Sequence, residues 1–331
     1  MMKGKRKNQR MNKIPSISQS IRQRIDVAEL VTLVTHIRPD GDAVGSVIGF
    51  SEALRGYGKT VHIAFEETLP ARFRFLKEKE EKNKPAKDGI IITLDCAEQN
   101  RTPKDYSEKK IDINIDHHAT NTNFGDLNYV NAQAAATAEI VTDLLTEWKI
   151  RISPAAANSF LMGIITDTIG FRTQNTTPHT LRTAALLAEM GANLTDIYQR
   201  SLTDMTWEAG LLWGLALNKL QKEGKIIYTV ITCEDRKKSG FTGRDDADLT
   251  NFLSSIQEAD ISILFNQQSE KSVKVSWRSR SNVNVANLAS YFGGGGHPAA
   301  AGAEIELSLQ ETQQKVLEVT KSYLLKYDNQ E

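Results

Sequence analysis

Cysteine is scarce: Cys96 and Cys233 are the only two in 331 residues, far apart and in no motif spacing. That excludes a disulfide framework and a zinc–thiolate site. No apolar run approaches the roughly 18 residues of a membrane-spanning helix. The N-terminus has none of the apolar core that a secretory signal needs, so the cytoplasm is the expected compartment. Net charge is absent as well. The 41 basic side chains balance 41 acidic ones, and no global field favours duplex DNA or an anionic membrane. Local groups can still bind a small anion. Internal repeats and low-complexity segments are missing too. The one charge asymmetry is the opening stretch, where Lys3, Lys5, Arg6, Lys7, Arg10 and Lys13 occur without an acid. It is expected to be a disordered, solvated tail.

What is present is an ordinary globular composition, 40% hydrophobic and 25% charged, in a chain long enough for two domains. Hydrophobic spacing predicts a helix over 16–29, with Ile17, Ile21, Ile25 and Val27 on one face. A buried strand follows over 30–35, then a loop marked by Pro39 and Gly41, then a helix over 43–54 with small residues Gly45, Ser46 and Gly49. Strands are expected at 59–65, 89–94 and 111–115, and a solvated charged run at 77–87. Ser153 and Pro154 read as N-cap and first position of a helix reaching Thr166-Asp167-Thr168. Another helix is expected over 181–190, with Thr195 or Asp196 capping the next. A long helix is predicted from Trp207 to about Lys222. Strands at 226–232, 261–265 and 273–277 and helices at 285–292 and 309–325 complete the chain. The alternation predicts an α/β fold with a doubly wound, mostly parallel sheet.

In such sheets ligands bind beyond the carboxyl ends of the strands. His36, Asp40, Asp42, Asp95 and Asp116-His117-His118 all follow predicted strand ends, and Asp167 lies where a helix enters a loop. Any one of these is a cap, a turn former or a surface acid. Together they gather more carboxylates than can be buried without cations. Two divalent metals would resolve that cost, and oxygen ligands with a few imidazoles suit Mn²⁺, with Mg²⁺ as the alternative. Asp95, between the clusters, is the candidate bridge.

Near the C-terminus, Gly293-Gly294-Gly295-Gly296-His297 puts four glycines in a row. Such a run is entropically expensive as a plain loop and is expected to let backbone N–H groups approach an anion. Upstream, Arg278 and Ser279 offer a guanidinium and a hydroxyl for a phosphate.

His36-x-x-x-Asp40-x-Asp42, Asp95, Asp116-His117-His118 and Thr166-Asp167-Thr168 resemble, in order and spacing, the four motifs of the DHH phosphoesterase superfamily. The Gly293–His297 run with Ala299-Ala300-Ala301-Gly302 resembles the signature of the DHH-associated C-terminal domain. The resemblance covers about 17–327, and its two-domain size is similar to the bacterial nanoRNase/pAp phosphatase group. It implies a tail over 1–15, a DHH domain over 16–185, a linker over 186–205 and a smaller α/β domain over 206–328, with the active site in the cleft between the domains. It implies one metal on His36, Asp40 and Asp95 and another on Asp42, Asp95, His117 and Asp167. Asp116 would orient a histidine, and His118 would contact the phosphoryl group or assist the leaving oxygen. Arg278, Ser279, Gly294, Gly295, Gly296 and His297 would hold substrate, and Phe171, Tyr291 or Phe292 could stack on a base. The usual glycine after Asp-Thr is Ile169 here.

The implied reaction is hydrolysis of short RNA or DNA oligonucleotides to mononucleotides and of 3′-phosphoadenosine 5′-phosphate (pAp) to AMP. Two alternatives carry the same motifs. One is a cyclic-dinucleotide or linear di-adenylate phosphodiesterase, and the other a catalytically inactive nucleotide-binding regulator. No membrane partner is implied, and a homodimer is the oligomeric state to test.

Overall fold

The computed structural model describes residues 15–66, 69, 73–76, 89–280 and 283–328. The basic tail and the charged run at 77–87 lie outside the described residues. The chain divides into two compact units between Asp204 and Met205.

The first unit is built on five parallel strands in the order β2-β1-β3-β4-β5. These are β1 (Leu30–Val34), β2 (Thr60–Ala64), β3 (Ile90–Leu94), β4 (Ile113–Asp116) and β5 (Leu127–Val130). Val31 to Val34 and all of β4 are buried without alternation, the signature of a sheet covered on both faces. The chain leaves β1 for β2 on one side and returns to β3 on the other, so the strand order reverses between β1 and β3. A ligand site is expected beyond the carboxyl ends of those two strands.

Helix α1 (Ile17–Val27) starts at a capping box between Ser16 and Gln19. Its buried stripe is narrower than expected. Ile21 and Ile25 are in the core, whereas Ile17 and Val27 are 40% and 81% exposed. Helix α2 (Gly41–Gly56) begins earlier than expected because the Asp40 carboxylate accepts from the Ala43 amide at 3.1 Å. It lies against α4 (Pro154–Asp167), which is capped by Ser153 as expected. A methyl group on Gly45 would strike the Ser159 carbonyl and the Gly163 amide, so the small residues let the two helix backbones meet. Helix α3 (Thr137–Trp148) and strand β5 have no counterpart among the expected elements. Helix α5 (Pro178–Glu189) is capped by Thr177, and α6 (Leu194–Tyr198) by Asn193 rather than by Thr195 or Asp196. The expected connector at 186–205 is helical through most of its length, ending in a π-helical turn over Gln199–Thr203, and Ile197 is buried in the first core.

The second unit carries a mixed six-stranded sheet in the order β10-β11-β9-β8-β7-β6. Helix α7 (Trp207–Leu217) stops short of the predicted end, because β6 (Gln221–Glu223) folds back antiparallel on β7 (Ile226–Ile231). Helices α8 (Cys233–Ser239) and α9 (Leu249–Leu253) precede β8 (Ile261–Ser269) and β9 (Ser272–Ser279). Then come α10 (Val285–Tyr291), β10 (Gly295–His297), β11 (Ala300–Ile305) and α11 (Leu309–Asp328). Alternate residues separate two cores. Ile226, Ile263, Val275, Trp277 and Ala301 pack in one, and Ile227, Ile231 and Leu264 pack with Leu212, Leu249 and Leu253 in the other. Part of the glycine run is therefore edge strand rather than open loop. Gly294 and Gly296 have no room for a Cβ against the backbone of β11. Of the four glycines in the run, Gly295 alone faces open space without a positive φ.

Candidate metal centre

The reversal point between β1 and β3 gathers the expected ligands from five elements. His36 follows β1, Asp40 and Asp42 open α2, Asp95 follows β3, and Asp116 ends β4 ahead of His117 and His118. Asp167 closes α4. His36, Asp40 and Asp95 bring ligand atoms within 4.8 Å of one another, and so do Asp95, His117 and His118. Asp95 belongs to both groups. It is 2% exposed and sits at φ 55, a left-handed conformation that turns its carboxylate in from the strand end. His36 Nε2 is 3.8 Å from Asp95 Oδ2, and His117 Nε2 is 3.5 Å from Asp95 Oδ1. Asp42 and Asp167 each place an oxygen 4.0 Å from His117 Nε2.

The imidazole tautomers follow from their partners. His36 Nδ1 lies 2.9 Å from the Ile37 carbonyl and His117 Nδ1 3.4 Å from the Ala134 carbonyl. A carbonyl only accepts, so each Nδ1 carries a hydrogen and each Nε2 is the atom that faces the carboxylates. Loss of the Nε2 proton gives the form a metal ligand must take. His118 differs, since its Nδ1 is held 2.7 Å from Asp116 Oδ1. Asp116 is fully buried, accepting also from the His117 amide at 2.8 Å and from Asn121 at 2.6 Å. Burial pushes its carboxyl up, but the His118 bond and charge, Asn121 and His117 outweigh that and hold it below the ordinary range.

The other carboxylates behave in the opposite way. Burial, reinforced by neighbouring aspartates, pushes Asp42, Asp95 and Asp167 each up to about 7. Burial alone would lower His117, yet Asp95, Asp167 and Asp42 raise it to about 9. The cluster attracts positive charge, and histidine is the only cationic side chain paired with it among the described residues. The residues fit a pair of divalent cations: oxygen-rich, with imidazole Nε2 atoms pre-aimed and a carboxylate common to both halves.

Sequence reasoning missed three contributors. Thr137 Oγ1 donates to Asp95 at 3.0 Å. The amides of Thr137 and Ala138 donate to Asp42 at 2.6 and 2.9 Å, fixing it against the positive end of α3. Asn121 bridges Asp116 and Asn114. Asn114, fully buried among isoleucines in β4, is the one signal that was open to view.

In the second unit, cross-strand register sets a row. Arg278 lies opposite Ser262 on one side and Ala300 on the other, and Ala300 opposite His297. Directly opposed residues share a face, and this is the face away from Trp277. Small Ala300 leaves a gap of two strand spacings, about 10 Å, between the roots of Arg278 and His297. Gly295, Gly302 and Ser276 form a second small-residue row beside it. Ser279 does not join them. It lies opposite Ile261, on the Trp277 side of the sheet.

Residues 30–164 match the model of the DHH family N-terminal domain, and residues 223–326 match the DHHA1 domain. The chain belongs to the DHH family. It is 36% identical to the bifunctional oligoribonuclease and PAP phosphatase NrnA of Thermus thermophilus, over 89% of this chain and 90% of that protein. The protein of the same name from Bacillus subtilis is 28% identical over 85% and 91%. Among solved structures, an exopolyphosphatase-related protein from Bacteroides fragilis superposes with a TM-score of 0.85 at 22% identity, covering 94% of this chain and 96% of that one, which bears on the fold alone. Among the described residues, no helix is long and apolar enough to cross a membrane.

Proposed function

We propose that this protein is a two-cation phosphoesterase that hydrolyses short oligoribonucleotides to mononucleotides and removes the 3′-phosphate of pAp. The observation that carries the reading is Asp95, a buried carboxylate common to both ligand groups. His36, Asp40 and Asp95 would hold one cation. Asp42, Asp95, His117 and Asp167 would hold the other, with Mn²⁺ favoured by the oxygen-rich donor set and Mg²⁺ as the alternative. Bound divalent cations supply Lewis-acid polarisation of the phosphoryl oxygens and activation of the attacking water.

The chain's own residues do the rest. Asp116 fixes the His118 proton on Nδ1, so that Nε2 is the atom turned to a phosphoryl or leaving oxygen. Thr137 and the first amides of α3 hold Asp95 and Asp42 against rotation. Arg278 and His297 are the phosphate-binding groups of the second unit.

The test is incubation of a dinucleotide RNA, pAp and a cyclic dinucleotide with the protein and Mn²⁺. Mononucleotides from the first and AMP from the second are expected, with the cyclic compound turned over far more slowly. Asp95→Ala should lower turnover by about 100-fold or more, as the loss of a bridging ligand requires. Intact dinucleotide and pAp, or full activity in Asp95→Ala, would sink the reading.

A further inference from the structure

Arg278 is held in an unusual way. Its Nη1 donates to the Trp277 carbonyl at 3.1 Å and its Nη2 to the Asn251 side-chain oxygen at 3.3 Å. A guanidinium has five N–H donors, more than these two bonds use. Asp246 and Asp248 lie close enough to favour its charge, but among the described residues no carboxylate forms an ion pair with it within 4.0 Å. The partner given to this arginine is a neutral amide.

Asn251 is itself fixed. It sits on α9, between two arginine clamps. Arg280 Nη1 donates to the Ser254 and Ser255 carbonyls at 3.3 and 2.9 Å, tying down the end of the helix. Arg236 donates to the carbonyls of Gly243 at 2.6 Å and Asp245 at 2.8 Å, holding the loop that leads into it. Trp213 Nε1 donates to the Ala247 carbonyl at 2.9 Å. Ala247 and Asp248 are left-handed, at φ 48 and 64, conformations that persist in such residues only where surrounding bonds impose them.

We propose that Asn251 is a positioning residue for Arg278. It fixes the guanidinium on the face of the sheet that also carries His297 and, being neutral, leaves the positive charge for a substrate phosphate. The loop clamped by Arg236 sets where Asn251 stands. This rests on the reading of Arg278 as a phosphate-binding group. It adds the residue that gives that arginine its direction and its available charge.

The full-length protein with Mn²⁺ and pAp tests it through KM and kcat. Asn251→Asp keeps the shape but supplies a carboxylate. It should raise KM by about tenfold or more, the effect of one charge-assisted bond, while kcat stays within about threefold. Asn251→Ala should raise KM less. Arg236→Met, which releases the loop, should resemble Asn251→Ala. In an Arg278→Ala background neither Asn251 substitution should change KM further, which a merely structural role would not predict. If Arg278→Ala raises KM but both Asn251 variants bind pAp like the parent, the positioning role is overturned and the reading of Arg278 stands. If Arg278→Ala leaves KM unchanged, both are overturned. Circular dichroism and Tm show whether the Asn251 variants fold, and the isosteric Asp variant decides if the Ala variant does not.

Discussion

Asp116 is a buried acid whose bonds all lie within the protein. Both of its oxygens are already engaged by the His117 amide, His118 and Asn121. Asp116→Asn keeps the shape but turns an N–H₂ toward a donor, so His118 loses its anchor. Turnover is expected to fall about 10- to 100-fold, the usual effect of losing an orienting partner, with cation affinity measured calorimetrically changing less. A second residue-scale prediction concerns Ile169. It adopts φ 48, followed by Gly170 at 70 and Phe171 at 66. A β-branched residue is strained there, by about 1–2 kcal/mol. Ile169→Gly should therefore be more stable than Ile169→Ala by about 1 kcal/mol in urea denaturation, reversing the order found at ordinary positions. The candidate ligand residues were legible because each lies at the end of a strand or at an end of a helix. Their supports were not, because Thr137 and Asn121 reach Asp95 and Asp116 across 42 and 5 positions with no motif between them.

At the scale of elements, the unexpected helix α3 explains itself. Its N-cap residue, Ala136, makes no side-chain cap bond. The capping carboxylate is Asp42, 95 positions earlier for Thr137 and 96 for Ala138. A helix whose start signal lies in another helix carries no local mark in its own sequence. Strand β5 is half-buried along its length at the edge of the sheet, so no alternation announces it. The overlong reading of α7 has a similar cause. Lys219 to Lys222 suit a helix, and only pairing with β7 makes Gln221–Glu223 a strand. By contrast α2 and α4 were well marked, and their contact supplies a prediction. A Cβ on Gly163 would lie 2.7 Å from the Ala138 Cβ and 2.9 Å from Asp42 Oδ1. Gly163→Ala should destabilise the fold by about 1–3 kcal/mol, as overpacking does. Because the push falls on Asp42, one of the proposed ligands, it should also weaken Mn²⁺ binding. Gly295→Ala, placed in open space, should leave stability within about 0.5 kcal/mol.

For the whole molecule, the buried acids make stability depend on pH and on cations in opposed ways. Asp42, Asp95 and Asp167 hold their protons up to about 7 in the folded protein without metal, whereas in the unfolded chain they ionise near 3.8. Between those values the folded state binds more protons, so stability falls as pH rises. His117 extends the trend. The unfolded imidazole loses its proton near 6.5 and the folded one near 9, so its contribution, complete below 6.5, is lost as pH climbs through 9. Asp116 works in the reverse sense, but only in acid, since its folded value lies below 3.8. Metal-free protein should therefore melt at steadily lower temperature from pH 5 to pH 9. Divalent cations would replace those protons, so their binding should release protons, and affinity should drop about tenfold for each unit by which pH falls, for each proton displaced. With saturating Mn²⁺ the slope of Tm against pH should flatten or reverse between pH 5 and 8, because the cations stabilise most where the carboxylates are ionised. Parallel melting curves with and without Mn²⁺ at each pH would show that cations do not bind where these carboxylates meet. A slope reversal lost in Asp95→Asn, but kept in Arg278→Ala, would assign the effect to the carboxylate cluster rather than to the second unit.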